Sequence, residues 1–433
     1  MLVKFSVENM LSFKEEAVLD MVAAKSFGEH LTTQILKIDE DISLLRSAAI
    51  FGANASGKSN LIKAIGFMKY FLISSFAEAL KNEEEINISP FKLNSSTEKG
   101  PSRFEVVFFI EDVLYRYGFS ANTTEVEEEY LFRTLERETP LFQRKKQEIR
   151  INKNSFKEGV GLEGKVRKNV LYLSLMAQFN GDISNSVIRW FNNLNLISGL
   201  QDETYKRYTI DKLKSDHKFQ KWVSEFVDFL EIERVTAEEA EVQIKVPESD
   251  DEDLNILLKT FAEKNKETKS DLLVTWHKKY DENNLLIDSV PFVLNHQESE
   301  GTKKFIYLLG PWYDTIVNGK VLFIDELDSR LHTLLTRKLI EYFASQTGST
   351  GQFLFALHDT NLLDRDLFRR DQIWFVEKDQ YGASDLYSLA DYKSVRTKSN
   401  TNFEKFYIEG KYGAIPYFGD MTKLNQLIDG EEE

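Results

Sequence analysis

The chain has 433 residues, with 55 Lys and Arg against 70 Asp and Glu, and so a formal charge of −15. The absence of cysteine excludes disulfides, zinc–thiolate sites, iron–sulfur clusters and cysteine nucleophiles, and the acidic balance argues against a surface that coats nucleic acid, leaving room only for a local basic groove. Hydrophobic residues make up 42% and Phe alone contributes 32, which is ample for a core, while no apolar run reaches the length of a membrane-spanning helix.

In chain order, Leu2, Lys4 and Ser6 alternate with Val3, Phe5 and Val7, the pattern of a strand. The same stretch lacks the apolar block of a signal peptide, so a soluble, cytoplasmic chain with no membrane partner is expected. A short apolar run, Ser47–Phe51, leads into GANASGKSN, after which Leu61, Ile62, Ile65, Met68 and Phe71 recur at helical spacing. Residues 103–119 predict a hairpin turning at Glu111 and Asp112. From 126 to 170 the sequence is charged and mixed, with a basic cluster of Arg144, Lys145, Lys146 and Arg150 that reads as a solvated face or as a surface for nucleic acid or an effector. Helices are predicted near 183–196 and 216–230. Acids dominate 228–264, including Asp250, Asp251, Glu252 and Asp253, which predicts a solvated excursion acting as a lid. Apolar β character returns at 321–324, 353–357 and 373–376, separated by helix-like or turn segments, and this rhythm predicts a mainly parallel sheet. There is no internal repeat and no sustained heptad.

Gly52, Ala53, Asn54, Ala55, Ser56, Gly57, Lys58 and Ser59, followed by Asn60, match G-x-x-x-x-G-K-[ST] in full. Glycines let the backbone wrap phosphates, and successive N–H groups with a helix N-terminus attract the anion. Lys58 would reach the β- and γ-phosphates of ATP and the Ser59 hydroxyl would ligate Mg2+. An apolar strand before the loop and an amphipathic helix after it are the context this motif needs. The strand at 321–324 runs into Asp325 and Glu326. Alone, such a strand end is as often structural as functional; behind a full phosphate loop, Asp325 is expected to hold Mg2+ and Glu326 to polarise the attacking water. The next strand ends at His358, and neighbouring strand ends of a parallel sheet share one edge, so His358 is expected at the γ-phosphate or the water. Ser299, Glu300 and Gly301 precede an apolar helix. They read either as an ordinary N-cap or as an anion site for a partner subunit's nucleotide.

This order of motifs resembles the ABC-type ATPases, in the branch shared with SMC, RecF and OLD-type proteins. GANASGKSN fills the Walker A slot, SEGTKK the signature, VLFIDELDSRLH Walker B with the D-loop, and FALHDTNLLD the switch histidine. The resemblance implies an α/β head with a mixed, largely parallel β-sheet and flanking helices, interrupted by a helical, acidic insertion. The head is expected over 1–125 and 290–420, the insertion over 126–289, and a disordered tail over 421–433. It also implies a homodimer or higher oligomer, with ATP sandwiched between Lys58 of one subunit and Ser299, Glu300 and Gly301 of the other, and Asp328 lying across that interface.

Further matches, FSVENMLSF, INISPFKL, LYRYGF, RRDQIWFVEK and KFYIEGKYGAIP, resemble bacterial abortive-infection ATPases of the AbiL/RloA type, similar to the AriA subunit of the PARIS phage-defence system. That likeness implies an ATPase scaffolding a separate TOPRIM or RloB-like nuclease effector and responding to a phage-protein trigger. The signature reads S-E-G-T with Glu300 where a flexible Gly is usual, Ala55 stands where Gly is common, and only Gln143 and Gln178 are candidates for the Q-loop. Tyr115 and Tyr117 read as packing or as a stack for adenine, and His30 as a brace for the loop or as nothing. The rival function is a RecF- or SMC-like DNA-repair ATPase, which the missing heptads and acidic balance place second. A self-contained nuclease would need a metal domain beyond His358, for which the sequence offers no carboxylate cluster.

Overall fold

The structure is a computed structural model that describes residues 1–80, 85–241, 269–392 and 402–416. Its contacts divide the chain into two units, Met1–Leu200 with Thr315–Ser329 and Thr333–Glu433, and Gln201–Asp314 with Arg330–His332. The division differs from the expected boundaries: residues 126–200 belong with the first unit, and residues 290–314 with the second.

The first unit holds strands β1 (Leu2–Glu8), β2 (Ala17–Asp20), β3 (Ile35–Lys37), β4 (Ser43–Leu45), β5 (Ser47–Phe51), β6 (Ser102–Ile110), β7 (Val113–Ala121), β8 (Val126–Thr134), β9 (Glu138–Lys145), β10 (Glu148–Ile151) and β11 (Leu194–Ser198). The second unit holds β12 (Ile232–Glu241), β13 (Lys269–Tyr280) and β14 (Leu286–Val293), and the first resumes with β15 (Val321–Asp325), β16 (Gln352–Ala356), β17 (Ile373–Lys378) and β18 (Ser384–Ser388). In the first unit β3 pairs with β4, a second sheet is antiparallel in the order β10-β9-β8-β7-β6-β1-β2, and a third is ordered β11-β15-β16-β5-β17-β18. In the third every neighbour is parallel except β18 beside β17. All five residues of β5 and of β16 are buried, the continuous apolar run that a parallel strand covered on both faces requires. The hairpin at 103–119 forms as expected, and Glu111 takes a positive φ of 53° in its two-residue turn.

Helix Lys58–Leu80 follows β5 and buries Leu61, Ile65, Met68 and Leu72, an i, i+4, i+7, i+11 stripe. Its Phe67 and Phe71 lie 5.3 and 5.5 Å from Phe104 and Phe119, so the stripe packs on β6 and β7. The helix predicted at 183–196 is shorter, Asp182–Asn192, because Leu194–Ser198 pairs in parallel with β15. A short segment with mixed patterning becomes a strand only when β15 lies beside it.

The basic cluster is not a uniform surface. Arg144 is fully buried on β9, opposite Glu129 of β8, with the two charged groups 3.4 Å apart. Arg144 also donates to the carbonyls of Lys146 and Val170. Glu129 accepts from the Tyr117 hydroxyl and from the N–H groups of Tyr172 and Leu173, and so caps helix Tyr172–Gln178. Burial raises the Glu129 carboxyl pKa, against the pull of Arg144 and the two amides. Removing one partner of a buried pair strands the other charge, so Arg144→Ala is expected to lower unfolding free energy by about 3–5 kcal/mol. The exposed neighbour changed in Lys145→Ala should shift it by less than about 0.5 kcal/mol. Urea denaturation of both variants checks this, and equal stabilities would contradict the buried lock.

Among its described residues the second unit adds a three-stranded sheet to the helices expected of the insertion. Helices Glu203–Ser215 and His217–Val227 accompany the antiparallel order β12-β13-β14. Asp216 caps the second helix by accepting from Lys218 and Phe219 N–H groups. The acidic run at 250–253 and the tail at 421–433 lie outside the described residues. No helix among the described residues is long and apolar enough to cross a membrane.

Candidate functional site

The parallel register aligns four strand ends. Ile50 pairs with Ala356, Phe355 with Ile324, and Phe51 with Phe375. The chain leaving β5 becomes the glycine loop, that leaving β15 carries Glu326, that leaving β16 carries His358, and β17 ends at Lys378. In open α/β sheets ligands bind in the crevice at the carboxyl ends of the strands. Here that edge holds a cavity of about 660 Å3 lined by Asn54, Ala55, Ser56, Gly57, Lys58, Ser59, Asn60, Glu326, His358 and Lys378.

The loop's residue types follow from its backbone. Gly52 has a φ of 153°, and a Cβ there would collide with the Val376 carbonyl; Gly57 has a φ of 120°, and a Cβ would collide with the Ser384 hydroxyl and meet that of Ser12 at 2.7 Å. Ala55 also sits at positive φ, 62°, which accounts for the frequency of Gly at this place in such loops and costs about 1–2 kcal/mol for an L-residue. The loop is clamped by residues distant in sequence. Ser384 donates from its hydroxyl to the Ser56 carbonyl and from its N–H to the Ser12 carbonyl, while Asn60 donates to the Ser12 hydroxyl at 2.8 Å. Asn60 thus anchors the loop to the turn after β1.

Lys58 is 4% exposed, and its ammonium donates to the Gly52 and Ala53 carbonyls at 2.7 and 3.2 Å. Burial lowers its pKa, and the charges of Asp325, Asp328 and Glu326 act in the opposite direction. The lysine and the strand-end carboxylates therefore share one electrostatic site although distant in sequence.

Asp325 closes β15, and its Oδ1 is buried without a hydrogen-bond partner among the described residues. Hard oxygen donors of this kind suit Mg2+, and the half-buried Ser59 hydroxyl on the loop is the second such group. Glu326 has a φ of 57°. A left-handed conformation at a non-Gly residue is sustained by its surroundings and clusters at functional sites; here it turns the chain off the strand axis. Its carboxylate lies 3.8 Å from His358 Nε2, and the two side chains are 26% and 37% exposed, open to water. Asp328 accepts from the N–H groups of His358 and Asp359 at 2.7 and 2.5 Å. Within one chain it therefore holds the turn that presents His358, an intrachain task that the sequence did not suggest.

Ser299, Glu300 and Gly301 lie in the second unit. Ser299 accepts from the Thr302 N–H, an N-cap of helix Glu300–Asn318, and Glu300 is tied to Lys303 at 2.9 Å and to Arg330 at 3.5 Å. A Cβ on Gly301 would stand 2.7 Å from the Arg330 carbonyl. Tyr115 and Tyr117 are buried in the antiparallel sheet, the packing alternative. His30 meets the Arg365 carbonyl, and neither Gln143 nor Gln178 lines the cavity. Lys378, Ser12 and Ser384 were missed by the sequence reading. The signal for Lys378 was present, because the strand-end rule applied to His358 applies equally to the strand at 373–376.

Residues 47–364 match the family described as "AAA domain, putative AbiEii toxin, Type IV TA system". Among solved structures, the SMC head domain from Thermotoga maritima is similar at 13% identity and a TM-score of 0.41, over 89% of this chain and 98% of that one. An SMC head bound to the C-winged helix domain of ScpA is similar at 12% identity and a TM-score of 0.41, over 89% of this chain and 97% of that one. No curated protein matches the chain.

Proposed function

The chain belongs to the AAA-domain family described as putative AbiEii toxins of a type IV TA system, and from its site we propose that it binds and hydrolyses ATP. The carrying observation is one cavity in which residues 54–60 of the glycine loop meet Glu326 and His358, which follow two other strands. Loop N–H groups and the N-terminus of helix Lys58–Leu80 would receive the β- and γ-phosphates. Lys58 would exchange its two loop carbonyls for phosphate oxygens. Ser59 and Asp325 would hold Mg2+, which when bound screens phosphate charge. Glu326 accepts a proton from water as the water oxygen bonds to the γ-phosphorus and the bond to the β-phosphate oxygen breaks, releasing ADP and phosphate. His358, fixed through its turn by Asp328, stands where it can hydrogen-bond that water or a γ-phosphate oxygen.

A second copy would complete the site with Ser299, Glu300 and Gly301, whose exposed N-cap is built as an anion end. Because Glu300 is held by Lys303 and Arg330, its charge is directed to those cations, which would leave Ser299 and the Gly301 N–H to meet an incoming phosphate. Light scattering tests this: the chain should double its mass with ATP and Mg2+ and return on exchange into ADP, whereas a mass indifferent to nucleotide would contradict the sandwich. The biological reading is an anti-phage, abortive-infection ATPase regulating a separate toxic nuclease effector of TOPRIM or RloB-like type, released by a phage trigger. It is supported by the motif resemblance and by a family description that names a toxin–antitoxin system. Co-purification with the product of the neighbouring gene tests it; strong ATP-dependent binding of duplex DNA by the isolated chain would favour the repair ATPase instead.

A further inference from the structure

The hairpin β17–β18 carries a cation that the proposed hydrolysis does not use. Strand β17 pairs in parallel with β5 through Ile373–Ala49 and Phe375–Phe51 and turns back into β18 with Lys378 opposite Ser384. This hairpin lies close against the loop and is fastened to it: the Val376 carbonyl stands within colliding distance of where a Cβ on Gly52 would be, and the Ser384 hydroxyl donates to the Ser56 carbonyl. Lys378 is exposed, lines the cavity, and makes no side-chain hydrogen bond or ion pair among the described residues. The preceding Glu377 points its carboxylate to the Tyr387 hydroxyl. Lys378 is thus an ammonium with no ion-pair partner among the described residues, on a hairpin backbone fastened to the phosphate loop.

Its side of the loop decides what it meets. Along the sheet the order is β15, β16, β5, β17, so Glu326 and His358 stand on one side of the loop and Lys378 on the other. Three strand spacings separate the backbones of β15 and β17, about 14 Å, so the chain positions of Glu326 and Lys378 lie at opposite ends of the strand-end edge. With the γ-phosphate at Glu326, as the proposed hydrolysis requires, the opposite end of the polyphosphate lies toward β17. We infer that Lys378 binds the α-phosphate of the nucleotide, making a charge contact that ATP and ADP share. A Lys ammonium suits this as a mobile point charge on a flexible stem.

The inference rests on the nucleotide reading, and the test separates the two. Calorimetric titration of ATP and of ADP, with Mg2+, into the native chain and into Lys378→Ala, Lys378→Gln and Lys378→Arg gives the affinities. Lys378→Ala and Lys378→Gln should weaken ATP and ADP alike, by about tenfold, with Lys378→Arg restoring most of the loss. In steady-state hydrolysis the effect should fall on KM more than on kcat. Native ADP affinity in Lys378→Ala, or a loss confined to ATP, would overturn the inference while the nucleotide site stands. Failure of the native chain itself to bind either nucleotide would instead overturn the nucleotide reading.

Discussion

Glu326→Gln is expected to lower steady-state ATP hydrolysis by about 10²–10⁴-fold, the range a positioned general base contributes, while ATP affinity stays within about threefold of native. The side chain is the one cavity-lining carboxylate among the described residues, and its position is set by the backbone. A φ of 57° at Glu326 turns it out of the strand direction, whereas Asp325 remains in β15 with a buried oxygen. Glutamine keeps the shape and loses the ability to take a proton. If ATP closes two copies around the site, the variant should also accumulate as an ATP-bound dimer, because the step that reopens it has been slowed. Phosphate release and light scattering on the same sample check both halves. Unchanged hydrolysis would remove Glu326 from the role of base.

Lys58→Ala is expected to raise the ATP dissociation constant by about 10²–10³-fold, as loss of charge-assisted contacts to two phosphates would. In the resting chain the ammonium is buried and satisfied by the Gly52 and Ala53 carbonyls, so binding exchanges two carbonyl contacts for two phosphate contacts. Alanine removes a desolvated cation, which offsets part of the lost hydrogen bonding, and the melting temperature should move only a few degrees. A thermal melt therefore separates lost binding from lost fold. Full ATP affinity in a folded Lys58→Ala chain would defeat the phosphate-loop assignment.

What could be read from the sequence depended on whether its cause was local. The phosphate loop is contiguous, and its glycines answer to backbone geometry at Gly52 and Gly57. Strands β5, β15 and β16 are covered on both faces and so appear as unbroken apolar runs. The features that were missed are relations between distant segments. Ser384 grips Ser56 across 328 residues of chain, and no spacing rule connects them. Leu194–Ser198 is a strand only because β15 is its neighbour, and Arg144 looks like its exposed neighbours until β8 brings Glu129 opposite it. The contacts divide the chain at other places than composition suggests for the same reason. Residues 126–151 look like an excursion in composition yet extend the antiparallel sheet that β1 begins.

The most direct test is calorimetric titration of ATP with Mg2+ into the native chain beside Lys58→Ala. One saturable site per chain, displaced by ADP and lost in Lys58→Ala, is the predicted result. No saturable binding by the native chain, or equal binding by both, would contradict the nucleotide site itself.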